Sequence, residues 1–66
     1  MAGNTRGKIK ENFEGIHRNF DWSEYHCEKI VTLIAGQNPE LTAAIQALQA
    51  GIKGLDELTQ SLYASI

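Results

Sequence analysis

Apolar side chains recur every three or four residues in the first half of the chain. The row reads Ile9, Phe13, Ile16, Phe20, Cys27, Ile30 and Ile34, with Ser23 as its one polar member. Steps that alternate between three and four residues place all of these side chains on one stripe of an α-helix. The pattern predicts a first helix from about Lys8 to Ala35.

A second row with the same spacing occupies the rest of the chain. Its members are Leu41, Ile45, Leu48, Ile52, Leu55, Thr59, Leu62 and Ile66. In heptad notation the isoleucines and Thr59 hold position a and the leucines hold position d, which is the pattern of a coiled-coil seam. The row predicts a second helix from about Pro39 to Ile66, with Gly51 and Gly54 as its two weak points.

Residues 36–39 carry the signals of a turn between these helices. Gly36 suits the left-handed conformation that follows a helix end. Asn38 is a favoured N-cap, Pro39 suits the first helical position, and Glu40 complements the helix dipole. The sequence therefore predicts a turn at 36–39 and a new helix directly after it.

The predicted fold is all-α, an antiparallel hairpin of two long helices that packs into an oligomeric helical bundle. Residues 1–7 are predicted to be a flexible N-terminal arm, and residues 8–66 a single domain. The alternative is a break near Asp21, because Asp21 and Glu24 have the spacing of a capping box, which would give three helices. We favour the hairpin because the apolar stripe keeps its phase across this junction.

The composition favours association with other chains. A domain of 66 residues has a marginal core, and its single cysteine, Cys27, leaves no internal disulfide to support it. Val31 and Leu33 on the first helix and Leu58 and Tyr63 on the second also widen the apolar face beyond what one antiparallel partner covers. Ile at a with Leu at d favours a parallel two-stranded coil, but the flanking positions lack the usual charged pairs, which argues for bundle packing.

The charge pattern argues against nucleic acid as the main partner. The net charge is only −2, whereas nucleic-acid binders usually have a strong basic excess. A minority alternative is a dimeric hairpin that binds nucleic acid through its basic residues, which are Arg6, Lys8, Lys10, Arg18 and Lys29. No long apolar segment follows the early charges, so we expect a protein without membrane association, cytoplasmic or incorporated into an assembly of cytoplasmic subunits.

A ridge of aromatic and basic residues is predicted on the outer side of the first helix. Arg18, Trp22, Tyr25 and Lys29 are spaced four, three and four residues apart, roughly opposite the stripe that contains Phe20. Aromatic and Arg side chains are frequent anchors of protein interfaces. The ridge is therefore a candidate docking surface, unless the helix bends at Asp21 and Trp22 turns inward.

Two further groups resemble catalytic or metal sites, but both have simpler interpretations. A line of Glu14, His17, Asp21, Glu24 and Glu28 lies on one helix face, which we interpret as a solvated acidic surface. His26 and Cys27 are adjacent and point about 100° apart on a helix, so Cys27 is interpreted as a small buried apolar side chain. We predict no catalytic, cofactor-binding or metal-binding residue, and no enzymatic activity.

The sequence thus predicts a structural or assembly protein that acts as a packing unit or adaptor in a larger complex, such as a virion or secretion-type assembly. Its partners would be further copies of itself or another helical protein. The alternative is a small inhibitor or regulator that masks a protein partner through the aromatic ridge.

Overall fold

The protein is a hairpin of two antiparallel helices. The computed structural model describes residues 4–66 and contains α1 (Asn4–Ile34) and α2 (Pro39–Ala64). The helices pack side by side along their length in a rod about 56 Å long. No strand occurs within these described residues. The predicted all-α helical hairpin is confirmed.

Helix α1 runs without interruption through Asp21 and Trp22. The three-helix alternative is therefore wrong. The helix begins at Asn4 rather than near Lys8, so residues 4–7 extend it and the prediction of a flexible arm fails for them. Residues 1–3, the remainder of that predicted arm, lie outside the described residues.

The turn between the helices follows the predicted chemistry. Gly36 has φ of 78°, and Ala35 before it also has a positive φ of 52°. The side-chain oxygen of Asn38 accepts a hydrogen bond from the backbone N–H of Leu41 at 3.1 Å, which caps α2. Pro39 occupies the first turn of α2, where its missing N–H costs nothing.

The two helices touch through rows in which apolar and polar side chains are mixed. Heptad positions a and e face the partner helix, and apart from Ser23 these are the positions whose side chains are buried or half-buried along both helices. On α1 they are Lys10, Phe13, His17, Phe20, Glu24, Cys27, Val31 and Ile34. On α2 they are Thr42, Ile45, Gln49, Ile52, Asp56, Thr59, Tyr63 and Ile66.

This contact differs from the predicted seam in one respect. The sequence pattern placed positions a and d together, whereas the structure turns each helix by about 50° so that e replaces d. The leucines at d are consequently left outside the hairpin contact. The only buried apolar side chain among the described residues is that of Cys27, which is 4% exposed, so the predicted buried role of Cys27 is confirmed.

Neither helix contains an apolar stretch long enough to cross a bilayer, as judged over residues 4–66.

Candidate protein-interaction surfaces

One long side of the hairpin carries polar contacts between the helices, and we call it the polar edge. At its centre, Nδ1 of His17 lies 2.7 Å from Oδ1 and 2.9 Å from Oδ2 of Asp56. Asp56 is only 6% exposed and also accepts a hydrogen bond of 3.2 Å from Nε2 of Gln60. Nε2 of His17 lies 3.3 Å from Oδ2 of Asp21. The imidazole therefore sits between one carboxylate of each helix.

This arrangement favours the protonated form of His17. The hydrogen bond to Asp56 raises the pKa of His17 above its ordinary value of 6.5. Partial desolvation of the ring acts in the opposite direction, and the negative charges of Asp21, Asp56 and Glu24 add to the rise in pKa. In the protonated ring both nitrogens carry a hydrogen, so Nδ1 donates to Asp56 while the charge is shared with Asp21.

Two more polar contacts continue the polar edge toward the ends of the hairpin. The hydroxyl of Tyr63 donates to Oε2 of Glu14 at 2.9 Å, and this bond raises the pKa of Tyr63 above its ordinary value. Near the turn, Nε2 of Gln49 donates to Oε1 of Glu28 at 3.3 Å. These pairs fix the alignment of the antiparallel helices, with Glu14 level with Tyr63 and Glu28 level with Gln49.

The predicted solvated acidic face therefore needs correction. Asp21 is exposed as expected, but His17, Glu14 and Glu28 reach across to α2. The sequence did not reveal the partners of these residues on α2. Asp56 is at position e, and the leucines at position d led us to expect that position e lies outside the contact between the helices. The available signal was that position e, beside the apolar row, holds mostly charged or polar residues on both helices.

The same cluster holds the side chains best placed for a metal ion among residues 4–66. Ligand atoms of His17, Asp21 and Asp56 lie within 4.8 Å of one another. However, the two ring nitrogens point in different directions, and each already faces a carboxylate. An ion bound at either ring nitrogen would have to replace the contact between that nitrogen and its carboxylate.

The opposite long side of the hairpin is an exposed apolar face. It is formed by Leu41, Leu48, Leu55 and Leu62 of α2, which are between 42% and 54% exposed, and by Ile9, Ile16 and Ile30 of α1, which are between 39% and 44% exposed. Both sets occupy heptad position d, which lies at the same angle around the helix axis from the contact rows. Because the helices are antiparallel, this angle points to the same side of the hairpin on α1 and on α2.

The apolar face continues outward on α2 through a row of apolar and small residues at position g. This row consists of Ala44, Gly51, Leu58 and Ser65. Leu58 is 56% exposed. A Cβ atom added at Gly51 would meet nothing within 4 Å. The hairpin itself therefore gives no steric reason for this helical glycine, which costs about 1 kcal/mol relative to alanine.

The aromatic ridge of Arg18, Trp22, Tyr25 and Lys29 lies on the outer side of α1, where the sequence placed it. Trp22 is 63% exposed, and its ring meets that of Tyr25 edge-on at a centroid distance of 5.7 Å. Nζ of Lys29 lies 5.4 Å from the centre of the Tyr25 ring. Arg18, Asp21, Trp22 and Tyr25 line a shallow groove on this surface.

The structure thus separates the residues of the predicted seam into two groups. Phe13 and Phe20 of α1 and Ile45, Ile52 and Ile66 of α2 face the hairpin contact. The other members, which are Ile9, Ile16, Leu41, Leu48, Leu55 and Leu62, form most of the exposed apolar face. Their role as a seam between chains stays a prediction.

Comparison of the chain with protein-family models, with curated proteins and with solved structures gave no match.

Proposed function

We propose that the protein is a non-enzymatic assembly protein, a small hairpin that oligomerises through its apolar face and acts as a packing unit or adaptor in a larger complex. The observation that carries this proposal is the apolar face itself. Seven leucine and isoleucine side chains on one side of the hairpin are between 39% and 54% exposed. Contiguous apolar surface of this extent on a small protein usually marks an interaction site.

The weak core of the isolated hairpin supports the same proposal. Cys27 is the only buried apolar side chain among the described residues, and about half of the side chains in the contact rows are charged or polar. Domains of this size usually need an additional source of stability. Covering the apolar face with a second copy would add a conventional leucine-rich core next to the existing contact.

The mass of the purified protein in solution tests this proposal. We expect light scattering to give a multiple of the 7.3 kDa chain mass, and we expect Leu48→Asp to reduce it to that of a single chain. Ala50→Asp is the matched control, because Ala50 is exposed and points away from the apolar face. A wild-type protein that stays a single chain at high concentration would contradict the proposal.

The aromatic ridge supports a second candidate function, that of a regulator which masks a protein partner. The observation in its favour is the 63% exposure of Trp22, since Trp and Tyr are enriched among the residues that supply most of the binding energy at interfaces. The ridge lies on a different side from the apolar face, so the two functions are compatible. For an isolated partner, Trp22→Ala should weaken binding without changing the mass of the oligomer.

A further inference from the structure

The apolar face contains a feature that specifies how two copies meet. Positions d and g of α2 form a continuous row with steps of three and four residues, which reads Leu41, Ala44, Leu48, Gly51, Leu55, Leu58, Leu62 and Ser65. This is the spacing of a coiled-coil seam. Leucines alternate with small residues along most of it. Such a row packs closely when the leucines of one helix lie against the small residues of another.

We propose that the partner of this face is a second copy of the chain, packed with α2 antiparallel to the α2 of that copy and with the twofold axis passing close to Gly51. This inference rests on the proposed oligomerisation and adds its geometry. The dimer would be a four-helix bundle in which the α1 helices also lie against each other across the same axis.

The absence of charge from this face argues for a second copy. Between Ile9 and Ser65, positions d and g of the two helices contain no Asp, Glu, Lys or Arg, and His26 is the one titratable side chain among them. In a twofold dimer the same patch meets itself, so any charge near the axis would face its own like charge. A face without charges avoids this repulsion, whereas a strongly acidic or basic partner would find no complementary group on it.

The exposed area is close to what a dimer needs. The exposed parts of Leu58 and of the seven side chains of the apolar face amount to roughly 600 Å² per copy, near the roughly 800 Å² that each partner contributes to a standard interface. Neighbouring atoms that become covered with them would supply the remainder. The area is sufficient for a dimer without any further partner.

The position of Gly51 indicates where the axis passes. Helix α2 extends from Pro39 to Ala64, so Gly51 is at its middle. When two such helices run antiparallel with full overlap, their midpoints meet. Gly51 then lies nearly level with its own counterpart, and its missing side chain permits a close approach of the helices.

Helix α1 has a small residue at the same level. The contacts Glu28–Gln49 and His17–Asp56 set the alignment within the hairpin. Ser23 lies between Glu28 and His17 on α1, and Gly51 lies between Gln49 and Asp56 on α2. Ser23 also interrupts the row of isoleucines at position d. Both helices therefore have a small residue at the level where the proposed axis crosses them.

Single-cysteine variants test this geometry in the full chain. Each variant carries Cys27→Ala, so that the buried native thiol does not contribute. Helices that pack closely bring facing Cα atoms within about 4–6 Å, which is a suitable distance for a disulfide. We expect Gly51→Cys to form disulfide-linked dimers under mild oxidation, at least about tenfold faster than the two controls.

The first control, Ala50→Cys, lies beside Gly51 in sequence but points away from the face. The second, Ala44→Cys, lies on the face but roughly 20 Å from its counterpart in the antiparallel arrangement, at a rise of 1.5 Å per residue. Rapid linking of Ala44→Cys would show a parallel arrangement and overturn the inference. If a side chain at position 51 itself blocks association, Ser23→Cys tests the same axis from α1 and should also link to its own counterpart.

A mixture of Gly51→Cys and Ser23→Cys chains tests the other antiparallel arrangement, in which α2 of one copy lies against α1 of the next. Linking confined to the mixed pair would overturn the inference while leaving oligomerisation intact. Oligomers of normal mass in which neither cysteine links would also overturn it, because the contact would lie elsewhere. A wild-type protein with the mass of one chain would instead contradict the proposed function.

Discussion

Nδ1 of His17 and the carboxylate of Asp56 are joined by two short contacts, of 2.7 and 2.9 Å, across the two helices. Asp56 is among the most buried residues of the described chain, at 6% exposure. A buried carboxylate that lost this partner would keep only Gln60 as a side-chain donor, and Gln60 lies on the same helix as Asp56. The strength of this contact between α1 and α2 therefore depends on the protonation of one imidazole.

This dependence predicts that the hairpin loses stability as the pH rises. The pKa of His17 is raised in the folded state, so its contribution is complete below the unfolded value of 6.5 and is lost as the pH increases through the folded value. We expect the free energy of unfolding in urea to fall as the pH rises above the unfolded value for His17.

The variant His17→Gln should remove most of this decline, because its amide can donate to Asp56 at any pH. His26→Gln is the control, since His26 packs against Trp22 and Tyr25 on the outer side of α1, and it should keep the wild-type dependence on pH. A decline of equal size in wild type and His17→Gln would exclude His17 as its source.

The continuity of α1 leads to a prediction about Trp22. Because its side chain is 63% exposed, Trp22→Ala should change the free energy of unfolding by less than about 0.5 kcal/mol. Phe20→Ala is the comparison, because Phe20 faces α2, and it should cost about 3 kcal/mol or somewhat less for a half-buried ring. Chemical unfolding of both variants is the measurement. A loss of several kcal/mol for Trp22→Ala would contradict the observed exposure of the ridge.

The turn supplies two substitutions with opposite expected effects. Ala35 has φ of 52°, a left-handed conformation that costs an L-residue about 1 kcal/mol, so Ala35→Gly should leave stability unchanged or raise it slightly. Gly36→Ala places a Cβ at φ of 78° and should lower stability by about 1 kcal/mol. Thermal melts of the two variants at equal concentration check the signs, and a stabilised Gly36→Ala would show that the turn adopts another conformation.

Most of the fold could be predicted because its signals are local. The alternation of three and four residues from Ile9 onward specifies helix, and the sequence of Gly36, Asn38 and Pro39 specifies where one helix ends and the next begins. The early start of α1 was missed because Arg6 and Gly7 break the apolar period without preventing helix formation, and intrinsic preferences of such residues differ by only about 1 kcal/mol.

The rotation of the helices could not be predicted in the same way. Rows at d and at e both lie beside row a, and leucine is the usual choice for the inner position. The outcome depends on pairs that form only across the hairpin, above all His17 with Asp56, and single-helix periodicity contains no information about such pairs. The same rotation is what leaves Leu48 and Leu55 exposed, so the error concerns the very residues on which the proposed function depends.

The emission of Trp22 predicts which side of the hairpin associates. Trp22 is the only tryptophan of the chain and lies on the outer side of α1, away from the apolar face. Dilution that dissociates the proposed dimer should therefore leave its emission wavelength unchanged while the mass falls. A shift to longer wavelength on dilution would place the aromatic ridge in the interface instead.

The final prediction concerns the link between stability and association. If folding and dimerisation are coupled through the apolar face, the melting temperature must rise with protein concentration, because a partner that binds only the folded chain stabilises it by mass action. Leu55→Asp places a charge in the interface of the proposed dimer, from which water is excluded. This lowers the stability of the dimer by several kcal/mol unless the carboxylate is protonated. We expect this variant to melt at a lower temperature that no longer depends on concentration.

Glu57→Ala, an exposed change on the outer side of α2, should keep both the melting temperature and its concentration dependence. A Leu55→Asp variant that melts like wild type at every concentration would show that the apolar face stays in water.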